Sequence, residues 1–502
     1  MTIDRWIDSA AARTPGKPAL VFEGGGMTYA EFASRIDARA RGLAANGIDR
    51  GDRVAWYGLN HPEIFVLLFA CARLGAILVP INWRLAQAEV AEIIANCQPG
   101  LMVHDRHFRE QALALPGIRV AAVDNRLPAG SPDRRWEALE DDPLLLVFTS
   151  GSTGKPKGVV LTQNALSCNA EMSIEAHRMG PDASVLNVLP LFHVGGLNIL
   201  PTPAFSVGAT VMLHERFDPD AACAALQEAT HAITVPTVLQ AIIDSDGWKS
   251  ADLSSLLSIS IGSTDVPVSL IQAVQSRGVP VTQIYGATET GPLAIYQHVD
   301  EAIATTGSIG RAGSKCGIRI VRDGRDAEDG EPGEIWVKGG NVTMEYWHNP
   351  DLTESALLDG WFRTGDVAKR DENGFYWFVD RIKHVIISGG ENIYPAEIER
   401  ILRDVPGVLE VAVVGRADPK WGETPVAVVV ADDGITSDEI LGSLHGRIAR
   451  FKHPKTVEFV DALPRNAMGK VVTAELRALV NRTQPGPGIG CSIPESSGGE
   501  AG

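Results

Sequence analysis

Residues 149–158 read Thr149, Ser150, Gly151, Ser152, Thr153, Gly154, Lys155, Pro156, Lys157, Gly158: ten positions with four hydroxyls, three glycines and two lysines. Glycines let backbone approach a bulky anion with no Cβ in the way. Successive amide N–H groups and hydroxyls donate to phosphate oxygens, and lysine adds positive charge. Such a loop suits a polyphosphate. It is not a Walker loop, which needs Gly-Lys, then Ser or Thr, then an immediate helix; Pro156 disfavours helix at Lys155. Further on, Tyr285, Gly286, Ala287, Thr288 and Glu289 set a carboxylate beside a hydroxyl, oxygen donors of the kind a hard cation shares with phosphates. Asp366 follows Gly365 and could accept two vicinal hydroxyls, as an acidic residue does in dinucleotide folds. His193 sits in Leu-Phe-His-Val-Gly-Gly, and its imidazole titrates near neutrality. Lys470 closes a Pro-Arg-Asn-Ala-Met-Gly-Lys run. Alone, each of these last three has a plainer reading: a turn aspartate, a satisfied core histidine, an inert surface lysine.

These groups need elements to hold them. The apolar run 144–148 predicts a buried strand leading into the glycine-rich loop. Strand-like segments at 233–236, 257–261 and 280–285 alternate with helices, which implies parallel pairing, right-handed crossovers and loops gathered at the carboxyl edge of a sheet. Upstream the sequence predicts a helix, a hairpin around Gly24–Gly26, a capping box from Thr28 to Glu31 that opens a helix to about Asn46, and a strand at 53–57. The apolar run 64–81 carries Arg73 and ends at Pro80 and Ile81, so it reads as a buried helix and then a strand, not a membrane span. Beyond residue 380 the pattern predicts a helix over 396–403, strands at 410–415 and 425–430, a helix from about 437 to 451 and a strand near 457–460. Residues 483–502 are rich in Pro, Gly and Ser without periodicity and read as disordered.

The chain has 502 residues, too many for one core. Its 45% hydrophobic and 21% charged residues are those of a globular protein. A net charge of −17 argues against nucleic acid as a partner. The six cysteines are scattered, with no CxxC pair, so neither a disulfide framework nor a zinc site is expected and a reducing compartment, the cytoplasm, is the simplest reading. The N-terminus has no basic-then-apolar leader pattern.

Together the motifs resemble those of the adenylate-forming superfamily: acyl-CoA synthetases, adenylation domains of peptide synthetases and firefly luciferases. The likeness spans roughly residues 5–480 and is strongest to acyl-CoA synthetases of the fatty acid–CoA ligase type. It implies an α/β fold: a large N-terminal domain of several subdomains, residues 1–380, joined by a hinge to a smaller α+β domain, residues 381–482. It implies that loop 149–158 embraces the β- and γ-phosphates of ATP, that Glu289 binds Mg²⁺, that Thr288 touches the α-phosphate and that Tyr285 lies against adenine. Asp366 would bind the ribose hydroxyls, and Arg381 the ribose or α-phosphate. Gly262, Ser263, Gly286 and Val235 would line adenine or the acyl group, with His193 beside the carboxylate. Lys470 would meet both the attacking carboxylate and the α-phosphate. Lys383 falls at the hinge, and Ser388, Gly389 and Gly390 would line a tunnel for coenzyme A. Two departures stand out: Gly262, Ser263, Thr264 and Asp265 stand where Gly-Gly-Ala-Pro is usual, the last three departing from it, and Lys383 replaces a frequent aspartate. The implied partners are a fatty or aromatic carboxylic acid, ATP and CoA, with no transmembrane segment and a homodimer possible. Three other readings stay open: an adenylating enzyme that loads a carrier protein, a luciferase-like oxygenase and a binding protein with a dead site.

Overall fold

The computed structural model describes residues 2–124, 137–150, 156–262, 266–389, 391–465 and 470–482; the tail expected to be disordered lies outside these residues. The chain forms two compact units, Met1–Ile382 and Lys383–Gly502.

The first unit holds two large sheets. In one, strands Pro143–Ser150, Ile77–Ile81, Arg53–Tyr57, Leu101–His104 and Val120–Ala122 run parallel. The return strand Pro156–Thr162 is antiparallel to Pro143–Ser150, with Thr149 opposite Lys157. Strand Glu345–Tyr346 pairs on its outer side. In the other sheet, Val281–Tyr285, Ser258–Ile261, His231–Thr234, Ser184–Asn187 and Thr210–Leu213 are parallel neighbours in that order. The expected strand at 233–236 ends at Thr234, because Pro236 opens the helix Pro236–Ile243. A third, antiparallel sheet includes Cys316–Arg322, Gly333–Gly339, Trp361–Arg370 and Tyr376–Arg381.

Local sequence explains the helices that join the two large sheets. Thr28 and Glu31 make the expected reciprocal cap, with Thr28 N–H donating to Glu31 at 2.8 Å, and open helix Tyr29–Ala45. Helix Pro62–Leu74 begins with proline at its first turn, and His61 Nδ1 accepts from Glu63 N–H at 3.1 Å. All its residues except Arg73 are buried, as expected for a helix that is apolar all round. Its Phe65 and Phe69 meet Phe32 and Phe205 at ring separations of 5.1–5.9 Å, in one core that takes side chains from both sheets. Among the described residues no helix is long and apolar enough to cross a membrane.

The second unit packs helix Pro395–Arg403 on strands Val408–Asp418 and Gly422–Ala431, with Thr456–Phe459 parallel to the latter. The helix expected over 437–451 stops at Gly442, and turns lead to a short 3₁₀ segment at Arg450–Lys452. Gly442 and Gly446 explain the stop, since each weakens a helix by about 1 kcal/mol relative to alanine.

Candidate active site

Three of the sequence-predicted nucleotide residues of the first unit, Tyr285, Asp366 and Arg381, are linked by direct contacts. Tyr285 ends a central strand, and its hydroxyl donates to Asp366 Oδ2 at 2.8 Å. Arg381 Nε meets Asp366 Oδ1 at 3.0 Å, because Asp366 and Arg381 are register partners on adjacent strands. Asp366 is buried, 7% exposed, and Thr364 Oγ1 accepts its amide N–H at 3.1 Å. Loss of water around Tyr285, with the Asp366 charge beside it, pushes its phenol well above the ordinary tyrosine range. A neutral phenol, a carboxylate and a guanidinium thus form one row, joined by a hydrogen bond and an ion pair. The sequence offered the three residues, not the bonds among them.

After Tyr285 the chain turns sharply. A Cβ on Gly286 would stand 1.7 Å from the Pro292 carbonyl oxygen, so only glycine fits, whatever the ligand. A 3₁₀ turn, Thr288–Thr290, follows and carries Glu289, 8% exposed. Three buried asparagines clamp this turn. Asn341 Nδ2 donates to the carbonyls of Thr290 and Leu293 at 2.9 and 2.7 Å. Asn198 Nδ2 donates to the Gly291 carbonyl at 3.2 Å, and Asn169 Oδ1 accepts from Leu293 N–H at 3.0 Å. Asn169 also donates to the Asn198 carbonyl at 2.6 Å. None of the three was singled out from sequence, because nothing local distinguishes an asparagine that pairs across 50 to 120 residues.

Glu289 has a further partner that the motif did not reveal. Tyr346 donates to its Oε1 at 2.7 Å, and Lys157 Nζ sits 5.1 Å from the centre of that tyrosine ring. Lys157 lies on the strand leaving the phosphate loop. Thr149 lies near the end of the strand entering it, which runs to Ser150. Gly151, Ser152, Thr153, Gly154 and Lys155, and also Ser263, lie outside the described residues; Gly262 directly follows strand Ser258–Ile261.

His193 caps the short helix Val194–Asn198, whose far end is the Asn198 that holds Gly291. Val235 caps helix Pro236–Ile243 and packs on the main core. Beside His193 lies a cation–aromatic cluster that sequence reading missed. Phe192 is 5.1 Å from the His193 ring and 6.3 Å from Trp83. The Arg84 guanidinium lies over both Trp83 and Phe192, at 4.9 and 5.8 Å, and Arg216 over Trp83 at 5.8 Å.

In the second unit, Lys383 lies in the 3₁₀ turn Ile382–His384 at the start of the unit. Ser388 ends strand Ile386–Ser388. Gly389 has φ +60°, and a Cβ there would meet the Trp421 ring at 2.8 Å. Trp421 is 44% exposed, and its carbonyl accepts from Gly389 N–H at 2.7 Å. Lys470 is exposed and precedes helix Thr473–Arg482. Gly390 lies outside the described residues.

The donor set fits magnesium–ATP. Thr288 and Glu289 offer hard oxygen donors on one turn, and among the described residues no group of three or more His, Cys, Asp or Glu is placed to hold a metal. Magnesium is commonly held by one or two carboxylates together with substrate phosphates, rather than by an all-protein cage.

Comparison with known proteins agrees. A family model described as AMP-binding enzyme matches residues 7–347, and one described as AMP-binding enzyme C-terminal domain matches 397–470. An indoleacetate–CoA ligase of Aromatoleum aromaticum is 46% identical, over 96% of this chain and 99% of its own. A feruloyl-CoA synthase of an Amycolatopsis species is 40% identical, over 94% and 98%. The o-succinylbenzoate CoA synthetase of Bacillus subtilis, solved with its acyl-adenylate intermediate, superimposes with a TM-score of 0.86 at 32% identity, over 94% of this chain and 98% of that one. The chain belongs to the AMP-binding enzyme family, among the adenylate-forming acyl-CoA synthetases.

Proposed function

We propose that the chain is an AMP-forming acid–thiol ligase for an aromatic carboxylic acid: acid and ATP give acyl-adenylate and pyrophosphate, then acyl-adenylate and CoA give acyl-CoA and AMP. The observation that carries the two-step chemistry is the row Tyr285–Asp366–Arg381 in the same unit as the asparagine-clamped Glu289 turn. The aromatic substrate class draws on relatives named for indoleacetate, ferulate and 2-succinylbenzoate.

A carboxylate is an inert acyl donor because its leaving group would be oxide; making the mixed anhydride replaces oxide with AMP. Asp366 accepts the ribose hydroxyls, and Tyr285 and Arg381 hold its carboxylate in place for them. Thr288 donates to the α-phosphate. The loop residues Thr149 to Lys155, with Lys157, grip the β- and γ-phosphates through hydroxyls, amides and ammonium charge. Glu289 would hold magnesium, which when bound neutralises charge spread over the phosphate oxygens. Lys470 pairs with the acid and the α-phosphate during attack, so two anions can approach each other. His193 orients the carboxylate and afterwards the thiol. Gly262, Ser263, Gly286 and Val235 shape the adenine and acyl sites.

For the second step, the small domain turns at Lys383, removes Lys470 and brings Ser388, Gly389 and Gly390 to the thiol arm, where residues lacking side chains leave room. Supporting a hinge, the compact units divide between Ile382 and Lys383. Supporting CoA as acceptor, Arg84 and Arg216 set two cations on the Trp83–Phe192 pair, whose Phe192 adjoins His193, in a chain of net charge −17, a local attraction for the anionic end of CoA. The pools of ATP and CoA it would draw on are cytoplasmic.

A screen of AMP release over arylacetic, arylacrylic, benzoic and fatty acids tests the reading. Arylacetic or arylacrylic acids are expected to give CoA-dependent AMP at rates well above those with fatty acids. A holo-carrier protein outcompeting CoA would move the assignment to carrier loading, and no AMP with any acid would end it.

A further inference from the structure

Tyr346 lies outside every motif that identified the site, yet it touches the carboxylate at its centre. It is 3% exposed, sits on the short outer strand Glu345–Tyr346 and is 57 residues from Glu289 in sequence. That strand is firmly attached on both sides. Tyr346 pairs in register with Val159, and Trp347 N–H donates to the Gly158 carbonyl at 2.8 Å, so the strand follows the backbone that leaves the phosphate loop. Thr343, just before it, donates its N–H to the Glu289 carbonyl at 2.7 Å and its hydroxyl to the Val160 carbonyl at 2.8 Å. The segment therefore straps the Glu289 turn to the strand after the phosphate loop, and the Tyr346 hydroxyl is the one side chain on it that reaches the Glu289 carboxylate.

The bond is well suited to orienting an anion. A hydroxyl donating to a carboxylate in a dry setting is a strong hydrogen bond. Lys157 places a cation 5.1 Å from the ring centre, on the face where the aromatic quadrupole attracts it, which also holds the ring in position.

We propose that Tyr346 is a positioning residue for the metal-binding carboxylate: its hydroxyl engages Glu289 Oε1, reserves Oε2 for the cation and ties that carboxylate to the strand leaving the phosphate loop. The proposal rests on Glu289 being the metal carboxylate. Partners that orient a metal ligand typically change metal affinity 10- to 100-fold when removed.

The test is Mn²⁺ binding, read by electron paramagnetic resonance, to full-length protein with a non-cleavable ATP analogue. Tyr346→Phe keeps the ring under Lys157 and deletes only the donor. The expected result is a Mn²⁺ dissociation constant about 10-fold higher or more, with metal-free nucleotide affinity unchanged. Glu289→Gln should weaken Mn²⁺ as well, and Tyr346→Phe added to Glu289→Gln should cost nothing further, because the two act on one ligand. Unchanged Mn²⁺ affinity in Tyr346→Phe beside a loss in Glu289→Gln would overturn the positioning role alone. Unchanged affinity in Glu289→Gln would overturn the metal assignment beneath it. A parallel fall in metal affinity, metal-free nucleotide affinity and melting midpoint in Tyr346→Phe would reduce Tyr346 to ordinary packing.

Discussion

At the scale of single residues, the site divides into groups that hold and groups that react. Asp366 and Tyr285 are held by each other and by Arg381 before any ligand arrives, so part of the ordering cost of binding is met in advance. Lys470, exposed in the second unit, is proposed to act in one half-reaction only. Lys470→Ala is expected to lower acid-dependent pyrophosphate release by at least 100-fold and to spare CoA thioester formation from supplied acyl-adenylate; equal loss in both assays contradicts that role. In the same pair of assays, His193→Ala should raise KM for the acid several-fold and leave KM for ATP unchanged; unmoved acid kinetics would remove it from the acyl site. The residues proposed to react were picked out in sequence because they sit in short contiguous motifs. Tyr346 and the asparagines at 169, 198 and 341 were not, because their meaning lies in partners far along the chain.

At the scale of elements, local chemistry made most strands and helices readable: the Thr28–Glu31 cap, the apolar helix before Gly75, the run before the phosphate loop. Where the reading failed, at 437–451, it passed over two glycines, Gly442 and Gly446, at which the helix gives out. A buried polar cluster joins three of the elements. His177 Nδ1–H donates to the Ser173 carbonyl at 2.7 Å on its own helix, and Nε2 accepts from Ser260 Oγ at 2.6 Å. Ser260 in turn meets Thr282 Oγ1 at 3.0 Å on the next strand. Burial pushes His177 down to about 3, and His61 down to about 4. Unfolded imidazole titrates near 6.5, so the unfolded chain takes up these protons first as pH falls. Stability is therefore full above about pH 6.5 and declines toward pH 4, by at most about 1.4 kcal/mol per pH unit for each histidine. Urea midpoints between pH 6.5 and 5, where most carboxylates stay ionised, should record this slope, and His177→Asn should flatten it. An identical slope in the variant would assign the acid sensitivity elsewhere.

At the scale of the whole molecule, two units share one reaction. Length alone called for more than one core; how far the chain turns at Lys383 is a matter of backbone freedom that no side-chain pattern encodes. If Lys383 is the hinge, Lys383→Pro, which fixes one of its backbone angles, should leave acyl-adenylate formation within about threefold of wild type and depress CoA transfer far more. Equal effects on both half-reactions would place the pivot at another residue.

Only Ile382 separates Arg381, paired with Asp366 at the rim of the first unit, from Lys383, the first residue of the second. If Lys383 is the pivot and Asp366 the ribose site, the fulcrum would stand next to the part of the nucleotide that keeps its grip from start to finish. A lever anchored there can sweep its far end widely while scarcely tugging on the sugar, so the intermediate need not be let go between its making and its use.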